Sequence, residues 1–192
     1  MADAAVHPAQ PEDIPEIARI QRETWLTAYA ELLPPTVLAG LDSAEAEAAW
    51  LAALRDGAAR LFVATEGAWT VGFCSAGRAP EAEIADPDGA LPPDAATVAL
   101  IGTLLVEPRW GRRGHGGRLL ATAAGGLRAD GATRGVTWVP EADKASLAFY
   151  ARAGWQPDGI ARTLDAGGRP LRELRLSGTL DLVLKGENHG EG

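Results

Sequence analysis

The sequence predicts a mixed α/β fold, with one domain over residues 1–185 and a flexible tail over residues 186–192. β-like segments come in pairs separated by turn residues, and amphipathic helical segments lie between the pairs. One apolar strand also continues through a glycine-rich loop into a helix. A chain of 192 residues can bury a core without disulfides or a structural metal, and no internal repeat or linker divides it.

The N-terminal third predicts one strand followed by helices. Val6–Pro8 is a short β-like segment, and residues 10–13 place acids in the first turn of a helix, where the helix dipole favours them. One face of that helix is apolar and carries Ile14, Ile17 and Trp25. Further helix is interrupted by prolines and restarts at residues 42–45, which combine an N-cap residue with a later glutamate.

The middle of the chain predicts a β-hairpin and then a strand, a loop and a helix. Leu61–Thr65 and Thr70–Ala76 are β-like segments joined across Glu66-Gly67, which is a turn signal. Thr97–Val106 is a largely apolar strand, and the glycine-rich segment leads from it into the helix. That helix has apolar residues at helical spacing, namely Leu119, Ala123 and Leu127.

The C-terminal third predicts one more strand, one helix and a second hairpin. Val136–Val139 is β-like, and Asp143–Ala153 predicts a helix that Gly154 terminates. Two strands are expected on either side of the turn at Gly167-Gly168.

The composition is typical of a globular protein in a reducing compartment. Cys74 is the only cysteine, so neither a disulfide nor a multi-cysteine zinc site can form within the chain. Residues 1–10 lack the features of a secretory signal, and the longest nearly apolar run, residues 95–106, is too short to span a bilayer. We therefore expect a cytoplasmic protein with no membrane contact and no metal.

Charge is unevenly distributed along the chain. The formal net charge of -8 argues against nucleic-acid binding, which requires a broad basic surface. A basic cluster that suits a small polyphosphate ligand contains Arg109, Arg112, Arg113, His115 and Arg118. An acidic segment without Lys or Arg, expected to attract a cationic substrate, contains Glu81, Glu83, Asp86, Asp88 and Asp94.

Residues 112–120 form a glycine-rich basic segment between a strand and a helix. Such a loop can bind an anion because unpaired backbone N–H groups converge there and carry the positive end of the helix dipole. Glycine allows close approach of the ligand, and arginines can reach outlying phosphates. A solvated turn is the simpler alternative. The lysine of a Walker A loop and the early βαβ unit of a dinucleotide fold are both absent, which disfavours a nucleotide binder.

Residues 104–116 contain Gly-Arg-Arg-Gly-His-Gly, and residues 143–155 contain Phe-Tyr followed by Gly-Trp. In this order the two segments resemble motifs of the GNAT superfamily of acetyl-CoA-dependent N-acetyltransferases. Residues 104–116, Leu-Leu-Val-Glu-Pro-Arg-Trp-Gly-Arg-Arg-Gly-His-Gly, are similar to the Gln/Arg-x-x-Gly-x-Gly/Ala motif, with Gly111 at the Gln/Arg position. Residues 143–155 are similar to Asn-x-x-Ala-x-x-Phe-Tyr-x-x-x-Gly-Phe, with Asp143 in place of Asn and Ser146 in place of Ala. Ile14–Leu41 resembles the paired helices that border the acceptor site in this superfamily.

The resemblance implies a GNAT fold, in which helices flank a mixed, mostly antiparallel central sheet, and acetyl-CoA as cosubstrate. Strands separate beside the first motif, and the pantetheine arm hydrogen-bonds to the exposed strand backbone. By resemblance, the residues expected to bind acetyl-CoA are Leu104, Leu105, Val106, Arg112, Arg113, Gly114, His115, Gly116, Gly117, Arg118 and Asp143. Trp25 and Tyr29 are expected to contact the acceptor.

Acyl transfer to an amine requires a neutral nucleophile and a proton donor for the leaving thiolate. A tyrosine, with a pKa of about 10, stays protonated at neutral pH and can be that donor. The resemblance makes Tyr150 the candidate general acid, whereas without the motif a core tyrosine is the simpler interpretation. Residues 100–103 contain no carboxylate where many relatives carry a glutamate, so no general base is assigned; Glu31, Glu81 and Glu83 stay open as candidates acting through water.

Cys74 and three tryptophans are expected in the core. Cys74 lies in an apolar strand without a His-containing nucleophile motif, which favours direct transfer over an acyl-cysteine intermediate. Trp50, Trp138 and Trp155 are interpreted as core residues in the same way.

The sequence therefore favours an N-acetyltransferase that acts on a primary amine of a small molecule or a peptide. The alternative, from a different class, is a GNAT-fold protein that binds acyl-CoA as a sensor or partner module without turnover. The acceptor stays open among an antibiotic, a polyamine, an amino acid and a protein N-terminus. Both a monomer and a homodimer are compatible with the sequence, since the C-terminal strands offer an edge for pairing.

Overall fold

The computed structural model describes residues 3–39 and 43–182, which form a seven-stranded sheet flanked by helices. The strands are β1 (Ala4–Pro8), β2 (Ala59–Glu66), β3 (Trp69–Arg78), β4 (Val98–Val106), β5 (Arg134–Pro140), β6 (Gln156–Asp165) and β7 (Pro170–Thr179). The helices are α1 (Ile14–Ala28), α2 (Pro35–Ala39), α3 (Ser43–Asp56), α4 (Glu81–Ile84), α5 (His115–Ala129) and α6 (Lys144–Arg152). Three one-turn 3-10 helices lie at Pro11–Asp13, Ala95–Thr97 and Pro108–Trp110.

The strand order is β1-β2-β3-β4-β5-β7-β6. Every neighbouring pair is antiparallel except β4 and β5, which run parallel. Parallel neighbours need a crossover connection, and α5 provides it. The prediction of a mixed, mostly antiparallel sheet flanked by helices is confirmed.

The predicted turns and helix ends occur close to their expected positions. Gly67 and Gly168 adopt positive φ angles of 59° and 89° in the two hairpin turns, a conformation that glycine adopts without a steric penalty. Asp143 caps α6, and Gly154, with φ of 84°, follows its last turn. Part of the predicted helix restart at residues 42–45, and the predicted tail at residues 186–192, lie outside the described residues.

The two faces of the sheet bury different apolar clusters, because side chains alternate along each strand. Phe62 and Cys74 point to the cluster that includes residues of α5 and α6. Val63 and Phe73 point to the cluster formed with α1 and α3. Among residues 3–39 and 43–182, no helix has both the length and the apolar character that a membrane span requires.

Strands β4 and β5 separate soon after they begin. Their parallel pairing covers only Val98–Leu100 on β4 and Arg134–Val136 on β5 within the described residues. At the point of separation, Thr137 Oγ1 donates a hydrogen bond of 2.9 Å to the carbonyl oxygen of Ile101. Beyond it, β4 carries a bulge at Gly102, so the edge of residues 103–106 that faces β5 is left without a strand partner.

Candidate active site

The separation of β4 from β5 opens two cavities that share part of their walls. The larger, called here the large cleft, has a volume of about 700 Å³ and lies between β4, the start of α5 and α6. The smaller, the small pocket, has a volume of about 250 Å³ and lies between α1, β5, β7 and α6. Residues common to both walls are Tyr29, Leu104, Leu105, Ser146 and Tyr150.

The large cleft brings together most of the residues predicted to bind acetyl-CoA. Its walls include Leu104, Leu105, Val106, Arg112, Gly114, His115, Gly116, Gly117 and Asp143. Arg113 and Arg118, which belong to the same prediction, are not part of the walls. Sequence reasoning did not identify Thr24, Trp110, Phe149 and Arg152, which also line the cleft.

The loop before α5 presents its backbone to the large cleft. Arg112 and Gly114 adopt positive φ angles of 63° and 82°, and Gly114 is the N-cap of α5. For Arg112 this left-handed conformation costs about 1–2 kcal/mol, because its Cβ crowds the carbonyl oxygen. The first N–H groups of α5 have no partner within the helix, so they can bind an anion in the cleft. A Cβ on Gly116 would lie 3.1 Å from Phe149 Cε2, so a larger side chain there would fill this space.

Glu66, which is not part of the wall of the large cleft, binds two side chains of this loop. Arg113 Nη1 donates to Glu66 Oε1 at 2.8 Å, and His115 Nε2 donates to Glu66 Oε2 at 2.7 Å. Burial alone would raise the pKa of Glu66, but the hydrogen bonds from His115 and Arg113 lower it below its usual value. Arg118 Nη1 donates to the carbonyl oxygen of Arg113 at 3.0 Å. The side chains of Arg113, His115 and Arg118 therefore have protein partners, and Arg112 is the arginine of this loop that lines the cleft.

The small pocket contains both residues predicted to contact the acceptor, Trp25 and Tyr29. Its remaining apolar walls come mainly from the segment after α1 and from β4 to β7, with Leu32, Leu33, Leu164, Leu171, Trp138, Val139 and Pro140. Polar side chains on the wall are those of Thr103, Thr137, Ser146, Tyr150 and Glu173, in addition to Tyr29. The sequence motifs gave no signal for the residues from β5 and β7, because these strands lie outside both motifs.

Trp138 lies on the wall of the small pocket, so the prediction that it is a core residue is wrong. It was expected in the core with Trp50 and Trp155, but its side chain lines the small pocket. Its ring is stacked by the guanidinium of Arg162, whose Cζ lies 4.1 Å from the ring centroid. The alternating pattern of β5 places Val139 on the core face and Trp138 on the opposite face, which explains the difference. Trp155 is buried as expected.

Tyr150 lies where the two cavities meet. Its ring packs against Phe149 and Trp155, with centroid distances of 5.0 and 5.5 Å. Burial raises the pKa of Tyr150 above its usual value, and the neighbouring Thr137 hydroxyl opposes that effect without cancelling it. The phenol therefore stays protonated at neutral pH, as a proton donor must.

Tyr29 and Asp143 connect α1 to α6 at the boundary between the cavities. The Tyr29 hydroxyl donates a hydrogen bond of 2.8 Å to Asp143 Oδ2. The same carboxylate accepts hydrogen bonds from the backbone N–H of Ser146 at 3.0 Å and from its hydroxyl at 2.6 Å. Burial and then the charge of Asp143 raise the pKa of Tyr29. Asp143 therefore acts as the N-cap of α6, while one side of it still borders the large cleft.

Cys74 is buried on β3, as the sequence predicted. Burial raises the pKa of its thiol to about 12, so the thiolate form needed for nucleophilic attack is scarce at neutral pH. No group of three or more metal-ligating His, Cys, Asp or Glu side chains occurs in the described residues.

The acidic segment does not line the small pocket. Asp94 forms a bidentate pair with Arg134, at 2.6 and 2.9 Å, and this pairing lowers the pKa of Asp94. Glu83 accepts a hydrogen bond of 2.8 Å from Arg162 Nη1. Asp86 Oδ1 accepts from backbone N–H groups within its own turn. Three of its five carboxylates, Glu83, Asp86 and Asp94, thus have hydrogen-bond partners within the protein.

Comparison with known proteins gives consistent results. The model of the acetyltransferase (GNAT) family matches residues 15–155. The uncharacterized N-acetyltransferase YuaI of Bacillus subtilis strain 168 is 31% identical over 173 residues, which cover 89% of this chain and 90% of YuaI.

Solved structures share the fold at low sequence identity. An N-acetyltransferase from Staphylococcus aureus Mu50 superposes with a TM-score of 0.70 at 16% identity, covering 93% of this chain and 99% of the other. The putative acetyltransferase yncA of Salmonella typhimurium, solved with its cofactor acetyl-CoA, has a TM-score of 0.67 at 19% identity, with coverages of 93% and 94%. A paia N-acetyltransferase from Thermoplasma acidophilum, in complex with coenzyme A, has a TM-score of 0.63 at 13% identity, with coverages of 92% and 99%.

Proposed function

The chain belongs to the GNAT acetyltransferase family, and from this premise we propose that it transfers the acetyl group of acetyl-CoA directly to a primary amine of a small molecule or a peptide. The observation that supports the proposal most strongly is the meeting of the two cavities at Tyr150. A donor in the large cleft and an acceptor in the small pocket can meet beside one protonated phenol.

The large cleft fits the chemical groups of acetyl-CoA. Residues 103–106 pair with β3 on one side, and their other edge, which faces β5, offers hydrogen bonds to the amides of a pantetheine arm. The N-terminus of α5 offers backbone N–H groups to a pyrophosphate. Arg112 and Arg152 line the same cleft and add positive charge for phosphates. In this proposal the side chains of Arg113, His115 and Arg118 keep the loop in place.

The reaction moves two protons from the acceptor ammonium group. One proton passes to solvent water to give the neutral amine, whose lone pair forms the new C–N bond to the acetyl carbonyl carbon. The C–S bond of the thioester breaks, and the leaving sulfur takes a proton from the Tyr150 hydroxyl. The second proton of the amine nitrogen restores Tyr150, directly or through water. A backbone N–H of β4 can stabilise the carbonyl oxygen as negative charge develops on it.

Two features favour direct transfer over an acyl-enzyme. Cys74 is buried, and its raised pKa keeps it in the thiol form. It lies on β3 and is not part of the wall of either cavity. The amine in the small pocket can instead attack the thioester without an intermediate carrier.

The test is release of free thiol when the protein, acetyl-CoA and a panel of amines are mixed. Thiol release together with the N-acetylated product, identified by mass spectrometry, is the expected result. Binding of acetyl-CoA by calorimetry without product from any amine would instead support the alternative of an acyl-CoA sensor. A chain that does not bind acetyl-CoA at all would contradict both functions.

A further inference from the structure

We propose that the acceptor is a monoamine with an apolar aromatic or aliphatic body, and that Glu173 binds its ammonium group. This proposal rests on the acetyltransferase function proposed above, because it names the class of molecule that enters the small pocket. It assigns Glu173 as a substrate-binding residue that determines specificity.

The small pocket has one charged side chain on its wall among the described residues, and that side chain is Glu173. Glu173 is 9% exposed and lies on β7, opposite Pro140 of β5. Arg162 Nε on β6 donates a hydrogen bond of 2.7 Å to Glu173 Oε2. No hydrogen bond to the other oxygen, Oε1, occurs within residues 3–39 and 43–182. The Glu173 side chain is 12% exposed, so Oε1 is open to a hydrogen-bond donor that enters the small pocket.

The charges around Glu173 do not cancel. Arg162 is shared between Glu173 and Glu83, since its Nη1 donates to Glu83 Oε2 at 2.8 Å. One guanidinium and two carboxylates leave a formal charge of -1 in this group. Arg175 does not supply the missing charge, because its Nε donates to Asp158 at 2.7 Å. An ammonium group in the small pocket would neutralise the excess.

The negative charge of Glu173 lies in the same pocket as the two tyrosines near the proposed transfer site. Glu173, Tyr29 and Tyr150 line the wall of the same pocket, and burial, the charge of Asp143 and, to a smaller extent, the charge of Glu173 raise the pKa of Tyr29. Tyr29 and Tyr150 line both cavities. An amine held at Glu173 therefore lies in the cavity that opens onto the proposed transfer site.

The rest of the pocket wall fits an apolar body. Side chains of Trp25, Leu32, Leu33, Leu164 and Leu171 surround the space beside Glu173. A cavity of about 150 Å³ lined by apolar side chains can bind benzene. The small pocket, of about 250 Å³, therefore has room for a ring with a short aminoalkyl arm.

The same wall disfavours two other classes of amine. The carboxylate of an amino acid would enter a pocket whose wall, among the described residues, has no cationic side chain and already carries one carboxylate. A polyamine would bring further ammonium groups against leucine and tryptophan side chains without acidic partners. Both unfavourable interactions weaken acceptor binding only, so acetyl-CoA binding should not change.

The experiment compares 2-phenylethylamine, phenylalanine and spermidine as acceptors for the wild-type protein and for Glu173→Gln. Because the amide keeps the shape of the side chain, the variant removes the charge with little change in packing. We expect kcat/KM for 2-phenylethylamine to fall about 10- to 100-fold, mainly through KM, which is the range for a hydrogen bond to a charged group. Acetyl-CoA affinity by calorimetry should not change.

The matched control is Glu141→Gln, which also breaks a carboxylate–arginine pair, here with Arg172 on the exposed surface at 3.2 Å. Equal behaviour of the two variants, or preference of the wild type for phenylalanine or spermidine, would overturn the proposal. Leu164→Ala is a second variant that does not endanger folding, since Leu164 is 40% exposed, and it should weaken 2-phenylethylamine but not methylamine.

A binding measurement separates this proposal from the proposed function. Calorimetry of 2-phenylethylamine with the CoA-saturated protein needs no turnover. If no amine is acetylated but 2-phenylethylamine binds and Glu173→Gln abolishes the binding, the acceptor class stands while the transferase function fails. If amines are acetylated but 2-phenylethylamine does not bind, the acceptor class is wrong and the transferase function stands.

Discussion

The large cleft and the small pocket share five wall residues, but they are built from different kinds of chemical group. The large cleft is formed largely by the backbone of β4 and of the loop before α5. Arg112 and Arg152 add positive charge to its wall. The small pocket is formed mainly by side chains from α1, β5, α6 and the β6–β7 hairpin, and the one charged side chain that the described residues contribute to it, Glu173, is negative.

Because of this difference, the two cavities should tolerate amino-acid substitutions to different degrees. A site made of backbone N–H and C=O groups accepts many side chains, as long as none intrudes into the space or alters the φ angles. A site made of side chains changes its specificity with each substitution. The chain can therefore keep one donor while the acceptor diverges, and substitutions in the two cavities should have different kinetic signatures.

The largest expected effect lies at the boundary, where a single hydroxyl serves both cavities. Tyr150→Phe should reduce kcat by about 100- to 10,000-fold, which is the range for loss of a general acid. The KM for the amine and the affinity for acetyl-CoA should change little, because the ring and its packing remain. Steady-state kinetics and calorimetry on the same preparation measure both.

Tyr29→Phe provides the comparison for that variant. It removes the hydroxyl that donates to Asp143. The fall in kcat should therefore be near that expected for one lost hydrogen bond, about 1 kcal/mol or about fivefold. A Tyr150→Phe protein with a normal kcat would show that Tyr150 is structural and that the proton donor lies elsewhere.

The next largest effect tests whether the large cleft is sensitive to added atoms. Gly116→Val should weaken acetyl-CoA binding by at least about 100-fold, because the new side chain would occupy the space between the start of α5 and Phe149. Calorimetry gives the affinity, and thermal unfolding shows whether the fold persists.

Gly125→Ala is the matched control in the same helix, because a Cβ there would have no neighbour within 4 Å. It should raise the free energy of unfolding by about 1 kcal/mol, the difference in helix propensity, and leave acetyl-CoA binding unchanged. Full affinity in Gly116→Val would remove the helix N-terminus as the proposed pyrophosphate site.

The smallest effect concerns a side chain that is strained in the fold and useful for binding. Arg112→Gly should leave the free energy of unfolding unchanged or raise it by up to about 1 kcal/mol, because the left-handed strain outweighs the added freedom of the unfolded chain. Affinity for acetyl-CoA should fall about 10-fold through loss of a phosphate contact.

Arg128→Ala also removes one positive charge, from the far end of α5, where Arg128 pairs with Asp181 at 3.0 Å. It should alter neither the affinity nor, beyond about 0.5 kcal/mol, the stability. If Arg112→Gly binds acetyl-CoA as tightly as this control, Arg112 makes no contact with the phosphates, and the backbone N–H groups and Arg152 remain as the groups that bind them.

The sequence predicted the large cleft better than the small pocket for a physical reason. Residues 104–117 and 143–152 are two short segments whose spacing is fixed by a strand, a loop and two helices. Turn residues such as Gly67 and Gly168 likewise identify the hairpins, because positive φ is a local requirement. The predicted α/β fold followed from such local signals.

The small pocket depends instead on contacts between distant parts of the chain. Arg162 donates to both Glu173 and Glu83 only when β6, β7 and α4 have packed together. No local sequence pattern predicts that arrangement. Trp138 was interpreted as a core residue, yet the side of β5 that it occupies is set by the register with β7. The local motif also did not show that Arg113 and His115 pair with Glu66, a partner on β2.

The positions of the tryptophans give each cavity its own optical probe. Trp110 lines the large cleft, whereas Trp25 and Trp138 line the small pocket. Trp155 is buried, and its indole N–H donates to the carbonyl oxygen of Thr179 at 3.1 Å, so its emission should be blue-shifted. Quenching by CoA should be weaker in Trp110→Phe than in the wild type, while quenching by an amine persists. Stopped-flow fluorescence of the two proteins would then give the order in which donor and acceptor arrive.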